Sequence, residues 1–277
     1  MTAHDDQAYT FETLRSQVSI TGRLVSKTAF RIGTGRDIDA HTPDLPIAKD
    51  AFGQPFIPGS SMKGAVRSAV EAVVRAMKPG APMEVACLCT GKPDDSCVPP
   101  ALRKELVKQA ATDQELAKLL RDHMCPVCCV FGSPWFAGKL RFRDLMLLTP
   151  PDRGPTSEMR DSVAIDRDTG TASSGQLFSY EVAPAGLAFD FHASLDNPSD
   201  TELGMALIGI KLLEQGDIRI GGGTSRGLGS CALEGTCVST VEPAELDSLV
   251  GYLMGEPAES LSLDRQQQCI EDCLAAI

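Results

Sequence analysis

The run Phe56-Ile57-Pro58-Gly59-Ser60-Ser61-Met62-Lys63-Gly64-Ala65-Val66-Arg67 does most to limit what this chain can fold into. It reads as a buried strand end, a sharp turn and the opening of a helix. Beyond the turn, Met62, Ala65, Val66, Ala69, Val70, Val73, Val74 and Met77 recur at three- and four-residue steps. That is one apolar stripe, closed by Lys78-Pro79-Gly80. Lys63 and Arg67 fall four apart on the other face, one turn above one another. Gly59, Ser60 and Ser61 precede the ordered turns, where hydroxyls cap and free backbone N–H groups point outward. Two cations and two hydroxyls at a helix start make an anion site, phosphate being the commonest such anion. The plainer alternative is an amphipathic helix with a serine cap and a solvated basic face.

A chain of 277 residues holds two domains or one elaborated domain, and a hydrophobic fraction of 43% supports a real core. No apolar run is long enough to span a membrane, and Met1 to Gln17 is polar, unlike a signal peptide. Ten cysteines without a secretion signal point to a reducing compartment, the cytoplasm by default, and to metal or burial rather than disulfides. A net charge of −11 argues against a nucleic-acid binder unless cations are gathered in one local groove.

Read in order, residues 1–13 are a polar tail, and Val18, Ile20, Gly22 and Leu24 alternate as a half-buried strand. Residues 26–58 form a long connection with a Gly33-Thr34-Gly35 break and a short strand at Leu45-Pro46-Ile47-Ala48. A cysteine-rich insertion follows, with a helix near 101–122, and then a strand over 139–148. Residues 150–184 suggest a long hairpin with a Gly/Ser tip. Leu187, Phe189, Phe191, Ala193 and Leu195 give the cleanest alternation, and Leu203, Ala206, Leu207, Ile210 and Leu213 a second amphipathic helix. Cys231, Leu233 and Val238 suggest a last strand, and 243–277 looks helical. The order strand, helix, strand, strand, helix, strand predicts an α+β, ferredoxin-like βαββαβ core, also the frame of the RNA-recognition motif. The expected division is a core at 14–80, 138–149 and 185–240, a zinc-binding insertion at 81–137, the hairpin at 150–184 and a helical segment at 241–277.

Three constellations could carry chemistry. Cys125-Pro126-Val127-Cys128 has the spacing that lets two thiolates reach one tetrahedral ion at about 2.3 Å. With Cys89 and Cys97 it would close a structural Zn2+ site and pin the insertion, with Cys87 or His123 as substitutes. A redox reading of the Cys-x-x-Cys pair is weaker, since no strand precedes it. Cys231, Cys237, Cys269 and Cys273 fall on apolar faces and are expected in the core. The loop Gly221-Gly222-Gly223-Thr224-Ser225-Arg226-Gly227-Leu228-Gly229 bares its backbone N–H groups to a polyanion, with Ser225 and Arg226 beside them. It matches no Walker or dinucleotide pattern. Paired with Ser60, Ser61, Lys63 and Arg67, it becomes a two-sided phosphate track. Asp37, Asp39 and Asp44, with His41 among them, are carboxylates that could position a divalent ion or orient a hydroxyl.

Together these pieces resemble the RAMP superfamily, in particular the repeated backbone subunit of type III CRISPR RNA-guided effector complexes. The matching residues are Arg31-Ile32-Gly33-Thr34-Gly35, Pro43 to Asp50, Phe56 to Gly64 with Arg67, Cys125 to Cys128 with Phe131-Gly132-Ser133, Ile165-Asp166-Arg167 and Ile220 to Gly229. The cysteine pair before Phe-Gly-Ser is similar to that of the family's zinc-containing branch. The resemblance implies an RNA-recognition-motif core, copies stacked along a guide RNA beside other effector subunits, and no membrane. The 150–184 hairpin would be a thumb that kinks the guide–target duplex. It also implies a catalytic aspartate just before the Pro-Gly-Ser-Ser string, here Asp44. Asp44 would assist Mg2+-dependent attack by the target RNA's own 2′-hydroxyl, with Asp37 or Asp39 able to replace or supplement it. Arg31 stands where many relatives have a histidine or an apolar residue, and offers a cation to RNA. Two other readings stay open: a guide-RNA scaffold that cuts nothing, and a zinc-stabilised protein-interaction module.

Overall fold

The alternation around Ile20 becomes β1 (Gln17–Ser26), the middle of a five-stranded antiparallel sheet. On one side β1 pairs with β5 (Ala188–Asp196), setting Leu24 opposite Phe189. On the other it pairs with β6 (Cys231–Val241), setting Ile20 opposite Val238. A register shift falls between Thr21 and Arg23, where a Cβ on Gly22 would lie 3.0 Å from Leu233 Cδ1. The full order is β2 (Leu140–Phe142), β5, β1, β6 and β7 (Glu259–Ser260). The computed structural model describes residues 11–35, 45–89, 92–148, 155–243, 246–256 and 258–277.

Helix α1 (Gly59–Met77) follows β1 and buries the predicted stripe, with Met62, Val66, Val70 and Val74 all fully covered. Helices α2 (Pro82–Val85), α3 (Pro100–Gln109), α4 (Asp113–Asp122) and α5 (Pro126–Phe131) fill the cysteine-rich stretch. Where the pattern suggests one helix near 101–122, two form, because Thr112 starts the second. Its hydroxyl accepts from Glu115 N at 3.2 Å, and the Glu115 carboxylate takes Ala111 N at 2.7 Å.

Hairpin strands β3 (Glu158–Ile165) and β4 (Ala172–Val182) form a separate two-stranded sheet. At its tip Asp166 Oδ1 accepts from the amides of Asp168 and Thr169. Helix α6 (Asp200–Gln215) follows β5, with a full capping box between Ser199 and Glu202. It is covered on nearly all sides, since α1 packs on one flank and α8 (Leu263–Ala276) on another. Glycine is required at both crossings. A Cβ on Gly209 would lie 2.5 Å from Val66 Cγ1, and one on Gly204 1.9 Å from Cys269 O. Helix α7 (Leu246–Leu253) precedes β7.

Some expectations shift. The strand over 139–148 is regular for three residues only, continuing as single bridges from Leu145 to Ile57 and Leu147 to Phe189. Residues 45–48 likewise make isolated bridges, Ile47 to Gly33 and Leu45 to Tyr180. Cys231, Cys269 and Cys273 are buried, but Cys237 is exposed because its stretch of β6 turns that face outward beside Ser260. Among the described residues, no helix is long and apolar enough to cross a membrane.

Candidate nucleic-acid interface and metal centre

The start of α1 is held from a distance. Ile57 and Leu145 exchange main-chain bonds of 3.0 and 2.8 Å, and Gly59 N donates to Asp144 Oδ1 at 2.8 Å. Gly59 itself is dictated by space, since a Cβ there would meet Phe142 O at 2.5 Å. The Asp144 carboxylate thus takes the first free amide, which narrows the anion site expected at this helix end. Ser60 lies exposed and Ser61 half-buried. Lys63 keeps its place in a cationic neighbourhood: burial and the charges of Arg67 and Arg141 all push its ammonium pKa below the usual lysine value.

Arg67 points elsewhere. Its Nε donates to Glu71 Oε1 at 2.8 Å, Nη1 to Gly132 O at 2.9 Å and Nη2 to Cys128 Sγ at 3.2 Å. Burial disfavours the cation, but Glu71 and Cys128 outweigh it, so the guanidinium is held charged. Only 16% of the side chain is exposed. Helix α1 therefore splits the expected pair, with Lys63 among the surface cations and Arg67 among the cysteines.

The glycine-rich loop docks against Arg31. Gly222 N donates to Arg31 O at 2.8 Å, and a Cβ on Gly221 would strike that oxygen at 2.2 Å. Gly221 and Gly223 sit at φ 75° and 76°, open to glycine without strain. Between them and the hairpin base lies a cleft lined by Arg31, Arg160 and Arg226, by Phe178 and Tyr180, and by Leu45. Phe178 and Tyr180 share one face of β4, their ring centres 6.2 Å apart. No carboxylate lines the cleft among the described residues, and Arg31 Nε is buried in it without a partner. Ser225 and Arg226 are exposed at its edge. Next to it Glu181 pairs with Lys49. Burial would raise the Glu181 pKa, but Lys49, Ser157 and the Ile47 amide hold it below the usual range.

Three main-chain hydrogen bonds connect the loop with the segment that leads into α1: Gly222 N to Arg31 O, Ala48 N to Ile32 O and Phe56 N to Ala48 O. Arg31, Gly221, Gly222, Gly223 and Arg226 are thus brought together, whereas Ser60, Ser61 and Lys63 belong to the start of α1 and do not line the cleft. Arg160, Phe178 and Tyr180 were missed in the sequence. Their signal was two aromatics at i and i+2 beside an arginine on the facing strand.

Four cysteines converge beside α1: the sulfur atoms of Cys87, Cys97, Cys125 and Cys128 all lie within 4.8 Å of one another. A tetrahedron of sulfurs around Zn2+ has an edge of roughly 3.8 Å, and the Cys87–Cys128 separation is 3.4 Å, so the set fits. Cys125 and Cys128 come from the start of α5, Cys97 from the turn before α3. Neighbouring thiols hydrogen-bond to a thiolate on Cys87 or Cys125, lowering the first pKa and bringing the second to about 7. The same crowding raises Cys97 and Cys128.

The expected set named Cys89, and the structure replaces it with Cys87. Arg75 explains the exchange: its guanidinium donates to Ala86 O at 2.8 Å and Cys87 O at 3.0 Å, drawing Cys87 inward. Cys89 stays at the rim, its thiol pKa raised by burial. His123 is turned to Leu119 O at 2.8 Å and is not in the group. Asp44, Asp37 and Asp39 lie outside the described residues.

The model of the RAMP superfamily matches residues 23–232, three quarters of the chain and all the features above. The chain belongs to the RAMP superfamily. A curated relative in Methanocaldococcus jannaschii, "CRISPR system Cms endoribonuclease Csm3", is 28% identical in an alignment of 226 residues that covers 78% of this chain and 78% of the relative. Within this RAMP chain the matched region contains the whole four-cysteine group, the cleft and the loop.

Proposed function

We propose that this chain is a guide-RNA-binding backbone subunit of a type III CRISPR effector complex that also cuts complementary target RNA at regular intervals. One observation carries the reading: the cleft between glycine loop and hairpin holds three guanidiniums and two rings, with no lining carboxylate among the described residues. Guanidiniums fork onto phosphate oxygens, and rings stack bases whatever their sequence. A net charge of −11 is then no obstacle, because the cations are gathered where the polyanion lies. The M. jannaschii relative, named as an endoribonuclease of a CRISPR system, supports the same assignment.

The strand order supports a ferredoxin-like frame. Taking β1, β2, β5 and β6 as the four core strands, they lie in the order second, third, first, fourth, with α1 and α6 after the first and third. On that frame 81–137 is the zinc-binding insertion, 150–184 the thumb and 241–277 a helical appendage. Zn2+ on Cys87, Cys97, Cys125 and Cys128 would cross-link an insertion with little core of its own. Partners are a guide RNA, a target RNA, further copies of this chain and other effector subunits, in the cytoplasm.

Asp44 is the group assigned to cleavage. Leu45, next in the chain, lines the cleft, and its carbonyl accepts from Glu181 N at 3.1 Å. The target's 2′-oxygen attacks the adjacent phosphorus and the 5′-oxygen leaves with a proton, giving a cyclic phosphate and a 5′-hydroxyl. A divalent ion, Mg2+ by expectation, would supply charge neutralisation at that phosphate. Holding hydroxyl, phosphorus and leaving oxygen in line supplies much of the acceleration.

The test is Asp44→Ala in the assembled complex: the cut ladder should vanish while a discrete short guide RNA still co-purifies. An unchanged ladder would move the role to Asp37 or Asp39, or to another chain. Absence of any bound short RNA would overturn the whole reading.

A further inference from the structure

Every fourth residue along one face of α1 turns to the cysteines: Arg67, Glu71 and Arg75. Glu71 binds both arginines, Arg67 at 2.8 Å and Arg75 at 3.2 Å. The two guanidiniums then reach two different segments that carry the cysteines. Arg75 holds the carbonyls of Ala86 and Cys87, and Arg67 holds Gly132 O and the sulfur of Cys128. Cys87 and Cys128 come from segments 41 residues apart, and this row of three side chains is what both segments dock against.

We infer that Arg67 is a positioning residue of the thiolate centre, donating an N–H to Cys128 Sγ and so setting how tightly the four cysteines hold a metal ion. The inference rests on the metal-centre reading above. A thiolate that accepts a hydrogen bond keeps its orientation and spreads its charge. Outer partners of this kind typically matter 10–100-fold in metal affinity. Four thiolates around a divalent ion carry a net double negative charge, which a neighbouring guanidinium offsets. Lysine cannot replace this fork, since one ammonium does not span Glu71, Gly132 O and Cys128 Sγ together.

The experiment loads the full chain with Co2+ and reads the sulfur-to-cobalt charge-transfer band, then measures competition for Zn2+ by a chromophoric chelator. Wild type should bind one ion per chain. Arg67→Ala should shift the band to lower energy, because the sulfur lone pair loses its donor, and weaken Zn2+ affinity 10–100-fold. Arg67→Lys, which keeps the charge, should fall between the two. If Arg67→Ala does not fold, Arg67→Lys and Glu71→Gln carry the same readout. A wild-type band and chelator midpoint in the soluble variants overturns the role of Arg67, and a wild type that takes up no ion overturns the metal centre with it.

Discussion

Gly221 presses its α-carbon against the carbonyl oxygen of Arg31, so closely that a Cβ would stand 2.2 Å from it. The residue also has φ 75°. Gly221→Ala should therefore lift the loop off Arg31 and cost about 1–3 kcal/mol in stability. Thermal unfolding reads the cost, and RNA affinity should fall in the same variant because the cleft loses one wall.

The rings of the cleft should act without charge. Phe178→Ala and Tyr180→Ala should each weaken guide-RNA binding by about 1–3 kcal/mol while leaving its salt dependence unchanged. Titrations at several salt concentrations check both. Equal affinity in the variants would remove stacking from the account.

Cations should behave in the opposite manner. Lys63→Ala, Arg160→Ala and Arg226→Ala should each lower the slope of log affinity against log salt by about 0.7. A slope that ignores all three would mean the RNA lies elsewhere.

Removing single thiols separates the two metal sets. Cys87→Ser should abolish stoichiometric Zn2+, while Cys89→Ser should retain one ion per chain, read by elemental analysis after dialysis. Chelator treatment of the wild type should shift the unfolding temperature down, since binding energy of the ion is folding energy.

A buried ion network gives a pH test. Glu202 accepts from Lys139 Nζ at 2.7 Å and pairs with Arg121, its side chain 8% exposed. Burial pushes the Glu202 pKa up, but Arg121 and Lys139 outweigh it and hold it below the usual carboxylate range. A depressed folded pKa means the contribution is complete above the unfolded value, about 4.3, and is lost as pH falls through the folded value. Glu202→Gln should cost about 3–5 kcal/mol at neutral pH, and the gap to wild type should shrink in acid. Denaturant unfolding at several pH values reads it.

Much of this was legible in single stretches. The apolar stripe of α1, the alternation of β1 and β5, the hairpin and the existence of a glycine-rich loop follow from local periodicity and composition, whereas the docking of that loop on Arg31 does not. What stayed hidden depends on residues far apart in the chain. Asp144 caps α1 from 85 residues away, and nothing near Gly59 announces it. Cys87 and Cys89 look alike in a turn-rich stretch, and Arg75 decides between them only once α1 is packed. Arg67 reads as a surface cation because its partners, Glu71 apart, sit 61 and 65 residues further on. The split between α3 and α4 is written in Thr112 and Glu115, while the apolar spacing runs across it and points to one helix.

Both borders of the five-stranded sheet are short, three residues in β2 and two in β7. A border that brief offers a neighbour few unpaired amides and carbonyls to continue the ladder. A second copy would therefore find little ladder to extend at either border of this sheet; the longer open strands are those of the hairpin, eight residues in β3 and eleven in β4.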